Sequence, residues 1–140
     1  MPESKIIFME RDSAATLWGN FKEPFTTNIL KYSNDLDDLV HYWHLFSKLI
    51  DSYSLECSKN VLRINYELFT SNPNDHIKRL LTWLDLNIED SCFSPEDNYR
   101  PVKTASLGQI RKKIYRNSSI AWKKYESELS GKFDNLGFSE

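Results

Sequence analysis

The sequence predicts an α/β fold, and three observations carry that expectation. Lys5–Met9 and Val61–Tyr66 are short apolar runs rich in β-branched and aromatic residues, the composition of strands. Each is followed by a segment with helical spacing of its apolar positions. The order strand, helix, strand, helix is that of a parallel sheet flanked by helices.

Lys5-Ile-Ile-Phe-Met9 is continuous rather than alternating, the pattern of a strand buried on both faces. A central strand so near residue 1 predicts that further strands of its sheet come from outside the chain, or that a second chain pairs with it. Residues 12–22 read as a helix, and Pro24 with the polar stretch Thr26–Asn34 as an irregular connection. The strongest periodicity follows. Leu36, Leu39, Val40, Trp43, Phe46, Ile50 and Tyr53 share one helix face, with Asn34 or Asp35 placed to cap its start.

After Val61–Tyr66, Asn72-Pro73 supplies an N-cap and a first-turn proline for a helix carrying Ile77, Leu80, Leu81 and Leu84 on one face. Residues 87–117 have no clean period, contain Pro95 and Pro101, and read as a long loop. Ser118–Leu129 predicts a last amphipathic helix, buried through Trp122, Tyr125 and Leu129 and ended by Gly131. At 140 residues, one domain spanning 1–140 is the expectation.

Composition excludes several function classes. With 40% hydrophobic and 27% charged residues the chain has ordinary globular usage. A net charge of -2 offers no global field for nucleic acid or membrane, and the basic loop lacks the interleaved aromatics of a nucleic-acid groove. No apolar run has the length of a membrane span and no signal peptide is visible. Cys57 and Cys92 form no CxxC pair and read as free thiols, which points to a reducing, cytoplasmic setting. His41 and His44 have a spacing that can bring two imidazoles to one metal, but no Glu-x-x-His partner exists and core positions flank them. No metal site is expected.

Ligands of parallel sheets bind beyond the carboxyl ends of the strands, where this chain places Arg11 and Tyr66. Arginine there offers a planar fork of donors for phosphate; a salt bridge to Asp12 would use it as well. The glycines at 19, 108, 131 and 137 form no phosphate loop. The segment from Lys103 to Lys124 holds seven cations (Lys103, Arg111, Lys112, Lys113, Arg116, Lys123, Lys124) and no acid, interspersed with Thr104, Ser106 and Gln109. Such a run is usually a solvated surface.

Four segments taken together carry a family resemblance: KIIFMERDSAATLWGNF from Lys5, NDLDDLVHYW from Asn34, VLRINYELFTSNP from Val61, and VKTASLGQIRKKIYRNSSIAWKKYESEL from Val102. In order and spacing they resemble the sulfotransferases that use 3'-phosphoadenosine 5'-phosphosulfate (PAPS), of the bacterial tetratricopeptide-associated type that is similar to tyrosylprotein sulfotransferases. The resemblance implies a partial P-loop-NTPase-like parallel sheet with flanking helices, the C-terminal half of a sulfotransferase domain. It implies sulfuryl transfer from PAPS to an acceptor hydroxyl, phenol or amine, leaving adenosine 3',5'-bisphosphate, without a metal.

By that resemblance Arg11 contacts the 3'-phosphate, Tyr66 lies against the nucleotide, and Thr104, Ser106, Gln109 and Arg111 belong to a loop folded over it. The 5'-phosphosulfate loop and the catalytic base of the family precede the strand at Lys5–Met9, so no catalytic residue is assigned here and the missing half, or a partner chain, would supply them. A non-catalytic module binding adenosine 3',5'-bisphosphate, or serving as a protein-interaction surface, is the alternative. Where the family has a serine eight residues after the arginine, this chain has Gly19.

Overall fold

The computed structural model of the chain describes residues 4–25, 28–98, 112–129, 131–134 and 136. It divides into two compact units: Met1–Tyr66 with Asn117–Glu140, and Glu67–Arg116.

The first unit contains strand β1 (Ile6–Glu10) and helix α1 (Ser13–Phe21), a 3-10 segment over Asn28–Asn34, helix α2 (Leu36–Glu56), strand β2 (Val61–Asn65), and a second 3-10 segment over Ser118–Tyr125. β1 and β2 pair in parallel, in a register running from Ile6 opposite Val61 to Glu10 opposite Asn65. Among the described residues these two strands are the whole sheet.

Each helix starts on an aspartate. Asp12 accepts a hydrogen bond from the Ala15 amide at 2.7 Å, and Asp35 accepts from the amides of Asp37 and Asp38 at 2.8 and 3.0 Å. These bonds satisfy donors that the first turn would otherwise leave open. α2 buries the first part of the face expected of it, while Tyr53 near its end is exposed; Leu39 and Trp43 pack with Ala14 and Leu17 of α1 and with Leu129, Phe133 and Leu136. The indole nitrogen of Trp43 donates to the Leu136 carbonyl at 3.2 Å, so the last part of the chain is tied to the middle of α2.

The sheet departs from expectation. Ile6, Ile7 and Met9 are 50%, 42% and 43% exposed, so β1 is not buried on both faces. Successive side chains alternate, so Ile7 and Met9 project from the face opposite Phe8, and among the described residues α2 lies against the Phe8 side. There the Phe8 ring sits 5.7 Å from Phe46, and Arg63 pairs with both Glu10 of β1 and Asp51 of α2, the latter at 2.7 Å. Burial works against the charge on Arg63, but its hydrogen bonds to Asp51 and Glu10 outweigh that, and its pKa is pushed up.

The expected helix at 118–129 is instead a tighter 3-10 coil over Ser118–Tyr125 followed by turns. Asn117 enters it in the left-handed region at φ 69° and provides no side-chain cap. Leu129 is buried as predicted; Tyr125 is not, although its ring stacks on Trp18 at 4.6 Å. Gly131 does take the positive φ of a stop signal.

In the second unit, helix α3 (Tyr66–Ser71, beginning on the last residue of the first unit) leads into helix α4 (Pro73–Leu84). Asn72, expected to cap α4, donates from its side chain to Asp75 at 2.6 Å instead. The 87–117 loop carries 3-10 turns at Asp90–Phe93 and Pro95–Asp97, and Lys78 lies 5.8 Å over the Phe93 ring. Arg116 donates to the Ser71 carbonyl at the end of α3.

Two predictions follow from the helices. A Cβ built on Gly19 meets nothing within 4 Å, so Gly19→Ala gains helix propensity without a clash and stabilises by about 0.5–1 kcal/mol in urea denaturation; destabilisation would show the site to be filled. The Asp35 carboxyl is held below its ordinary 3.8 by the hydrogen bonds from Asp38 and Asp37. A depressed carboxyl contributes stability that is complete above 3.8 and lost as pH falls through the lower folded value. Thermal melts in acid should therefore show Asp35→Asn, whose amide oxygen caps at any pH, losing part of the acid-side slope of the wild type.

Candidate functional site

Parallel pairing builds the site before any side chain is considered. Because Glu10 stands opposite Asn65, the next residues out on the two strands, Arg11 and Tyr66, leave the sheet side by side at its carboxyl rim. The Arg11 guanidinium carbon lies 5.2 Å from the centre of the Tyr66 ring, a cation–π geometry. Both side chains are half-buried.

The second component arrives from far along the sequence. At the start of the 3-10 segment, Ser119 Oγ accepts from Arg11 Nε at 3.1 Å and the Ser118 carbonyl accepts from an Arg11 Nη2 at 3.0 Å. Ser118 Oγ and the Tyr66 hydroxyl are 3.0 Å apart. Arg11, Tyr66, Ser118 and Ser119 thus form one hydrogen-bonded cluster inside the first unit.

Electrostatics favour an anion here. Neighbouring strand residues point to opposite faces, so Glu10 turns toward α2 and is taken up by Arg63. Asp12, the carboxylate beside Arg11 in sequence, caps α1 through its bond to Ala15. Among the described residues no carboxylate pairs with Arg11, and its remaining Nη donors have no partner. A guanidinium with donors to spare, a ring beneath it and a hydroxyl alongside can hold a phosphate oxygen and a flat heterocycle.

Of the residues singled out from the sequence, Arg11 and Tyr66 are brought together at the rim. Thr104, Ser106, Gln109 and Arg111 lie outside the described residues. Gly19 sits in α1, with open space where a side chain would project. Ser118 and Ser119 were not anticipated. The signal that could have found them was the serine of the SSIAWKKY segment, which local pattern reading spent on a helix start. Cys57 and Cys92 are free thiols, as expected. Among the described residues no cluster of His, Cys, Asp and Glu could hold a metal ion, and no helix is long and apolar enough to cross a membrane.

An uncharacterized protein of Aquifex aeolicus (strain VF5) is 28% identical over 131 residues, which cover 92% of this chain and 17% of that protein. The chain therefore spans about a sixth of the length of the relative it matches. A sequence model of the sulfotransferase family matches residues 1–90, a stretch that includes both strands, Arg11 and Tyr66. With the match covering most of the chain and enclosing the rim of the sheet, the chain belongs to the sulfotransferase family.

Proposed function

We propose that the chain supplies the 3'-phosphate and nucleotide side of a PAPS-dependent sulfotransferase. The observation that carries this reading is the Arg11 guanidinium at the sheet's carboxyl rim, lying over Tyr66 with donors that have no partner among the described residues. The 3'-phosphate is what separates PAPS and adenosine 3',5'-bisphosphate from ordinary adenylates, and a planar fork of charged donors is suited to it. Tyr66 offers the nucleotide a ring face and, with Ser118, hydroxyls within reach.

The residues present fit that ligand. The site is cationic, has aromatic and hydroxyl groups, and has no paired carboxylate among the described residues to repel a phosphate. When bound, PAPS supplies an activated sulfuryl group; this chain's residues hold and orient the nucleotide. In-line transfer also demands a positioned acceptor and a base. Neither is assigned to a residue of this chain, so transfer itself would use groups from another segment or partner chain. The exposed apolar side chains of β1, Ile7 and Met9, are consistent with such a neighbour packing on that face of the sheet. The bacterial tetratricopeptide-associated subtype, similar to tyrosylprotein sulfotransferases, remains the reading supported by the motif series, with Thr104, Ser106, Gln109 and Arg111 closing over the nucleotide.

A second reading has its own observation. Gly19 offers no hydroxyl where the family has a serine, so a module that binds adenosine 3',5'-bisphosphate without transferring sulfate is the competitor. Sulfate-transfer assays with a phenolic acceptor separate the two readings once binding is shown.

Calorimetry tests the site directly. Adenosine 3',5'-bisphosphate should bind saturably, and Arg11→Ala should weaken it by about 1.5–3 kcal/mol, roughly ten- to a hundredfold. Gly19→Ser, entering open space, should tighten binding of the bisphosphate by about 1 kcal/mol if its hydroxyl reaches the phosphate. No heat of binding with wild type, or equal binding by Arg11→Ala, would remove the reading.

A further inference from the structure

A guanidinium has two edges that can grip an anion, and they are not equivalent. The side edge presents Nε and Nη2; the tip edge presents Nη1 and Nη2. In this chain the side edge is occupied from within, Nε by Ser119 Oγ at 3.1 Å and Nη2 by the Ser118 carbonyl at 3.0 Å. The Tyr66 ring lies against one face of the same group. Three contacts from two directions fix the guanidinium plane, and the tip edge is left without a partner among the described residues.

Ser119 and Ser118 contribute differently. Ser119 is buried, at 7% exposure, and acts through its hydroxyl. Ser118 acts on Arg11 through its main chain, which no side-chain substitution removes, and its own hydroxyl goes to Tyr66. A long, flexible arginine loses considerable rotamer freedom when it binds an anion; a side edge already locked means that loss is incurred on folding rather than on binding.

We propose that Ser119 is a positioning residue for phosphate selectivity: it locks the side edge of Arg11 so that the tip edge grips the 3'-phosphate end-on. This deepens the reading given above and rests on it. Its signature is loss of orientation without loss of charge. Removing the hydroxyl leaves the cation and its long-range attraction in place, but lets the fork swing, so affinity falls for the ligand that carries a 3'-phosphate and holds for the one that does not.

The experiment is calorimetric titration of the full chain with adenosine 3',5'-bisphosphate and, separately, with adenosine 5'-phosphate. For Ser119→Ala the bisphosphate should bind on the order of tenfold more weakly, with the monophosphate little changed. Ser119→Thr, which keeps a hydroxyl, should restore the preference. The Ser119→Ala/Arg11→Ala pair should bind no more weakly than Arg11→Ala alone, since the serine acts only through the arginine. Equal weakening toward both nucleotides, or full additivity in the double variant, overturns the proposal while leaving the nucleotide site intact. A wild type that does not distinguish the two nucleotides, together with an indifferent Arg11→Ala, sinks the underlying reading as well. Should Ser119→Ala fail to fold in a thermal melt, Ser119→Cys keeps the volume, weakens the acceptor and carries the same expectation.

Discussion

The parallel register between β1 and β2 is the constraint on which the site depends. Its five residue pairs end at Glu10 and Asn65, so the first residue beyond each strand is delivered to one rim at neighbouring positions. Arg11 and Tyr66 therefore meet without any special loop, and the distance between them is set by the spacing of strands in a sheet. Shifting the register by one residue would do more than separate the two. It would also turn Phe8 away from Phe46 and break the alignment that lets Arg63 reach Glu10 and Asp51.

The alternation of side chains along β1 then sorts the charges. Glu10 faces α2 and is neutralised by Arg63, and the carboxylate of Asp51 completes that group from the helix. Arg11, one residue later, emerges at the carboxyl rim, where among the described residues no carboxylate pairs with it. Two arginines of the same sheet region thus have opposite fates: Arg63 holds β1, β2 and α2 together, and Arg11 keeps donors without a partner among the described residues. The arginine that ties the elements together is the one held by acids; among the described residues no acid pairs with the other.

Much of this was legible in the sequence. The periodicity from Leu36 onward identified α2 and its buried face, and the Val-Leu-Arg-Ile-Asn run identified β2, because both signals are local. Arg11 and Tyr66 could be named from the rule that ligands gather beyond strand ends. What the sequence did not yield was nonlocal or conformational. The exposure of Ile7 and Met9 depends on what lies over the sheet, which no strand pattern encodes. The 3-10 coil at Ser118 follows from the left-handed entry at Asn117 and the absence of a cap there. The bond from Arg11 to Ser119 joins residues 108 apart, and no period or spacing rule reaches that far.

That separation bears on when the site comes into being. The serine that bonds Arg11 follows it by 108 residues, so it leaves the ribosome only after β1, α1 and α2 have emerged. Closing so large a loop is slow, and it follows the nearer contacts rather than leading them. A nascent chain with its sheet and α2 already formed would carry an arginine that swings freely and discriminates poorly among anions. On the proposed reading, the site would be completed when the 3-10 segment docks beside α1, and a bound nucleotide would favour the docked state over the open one.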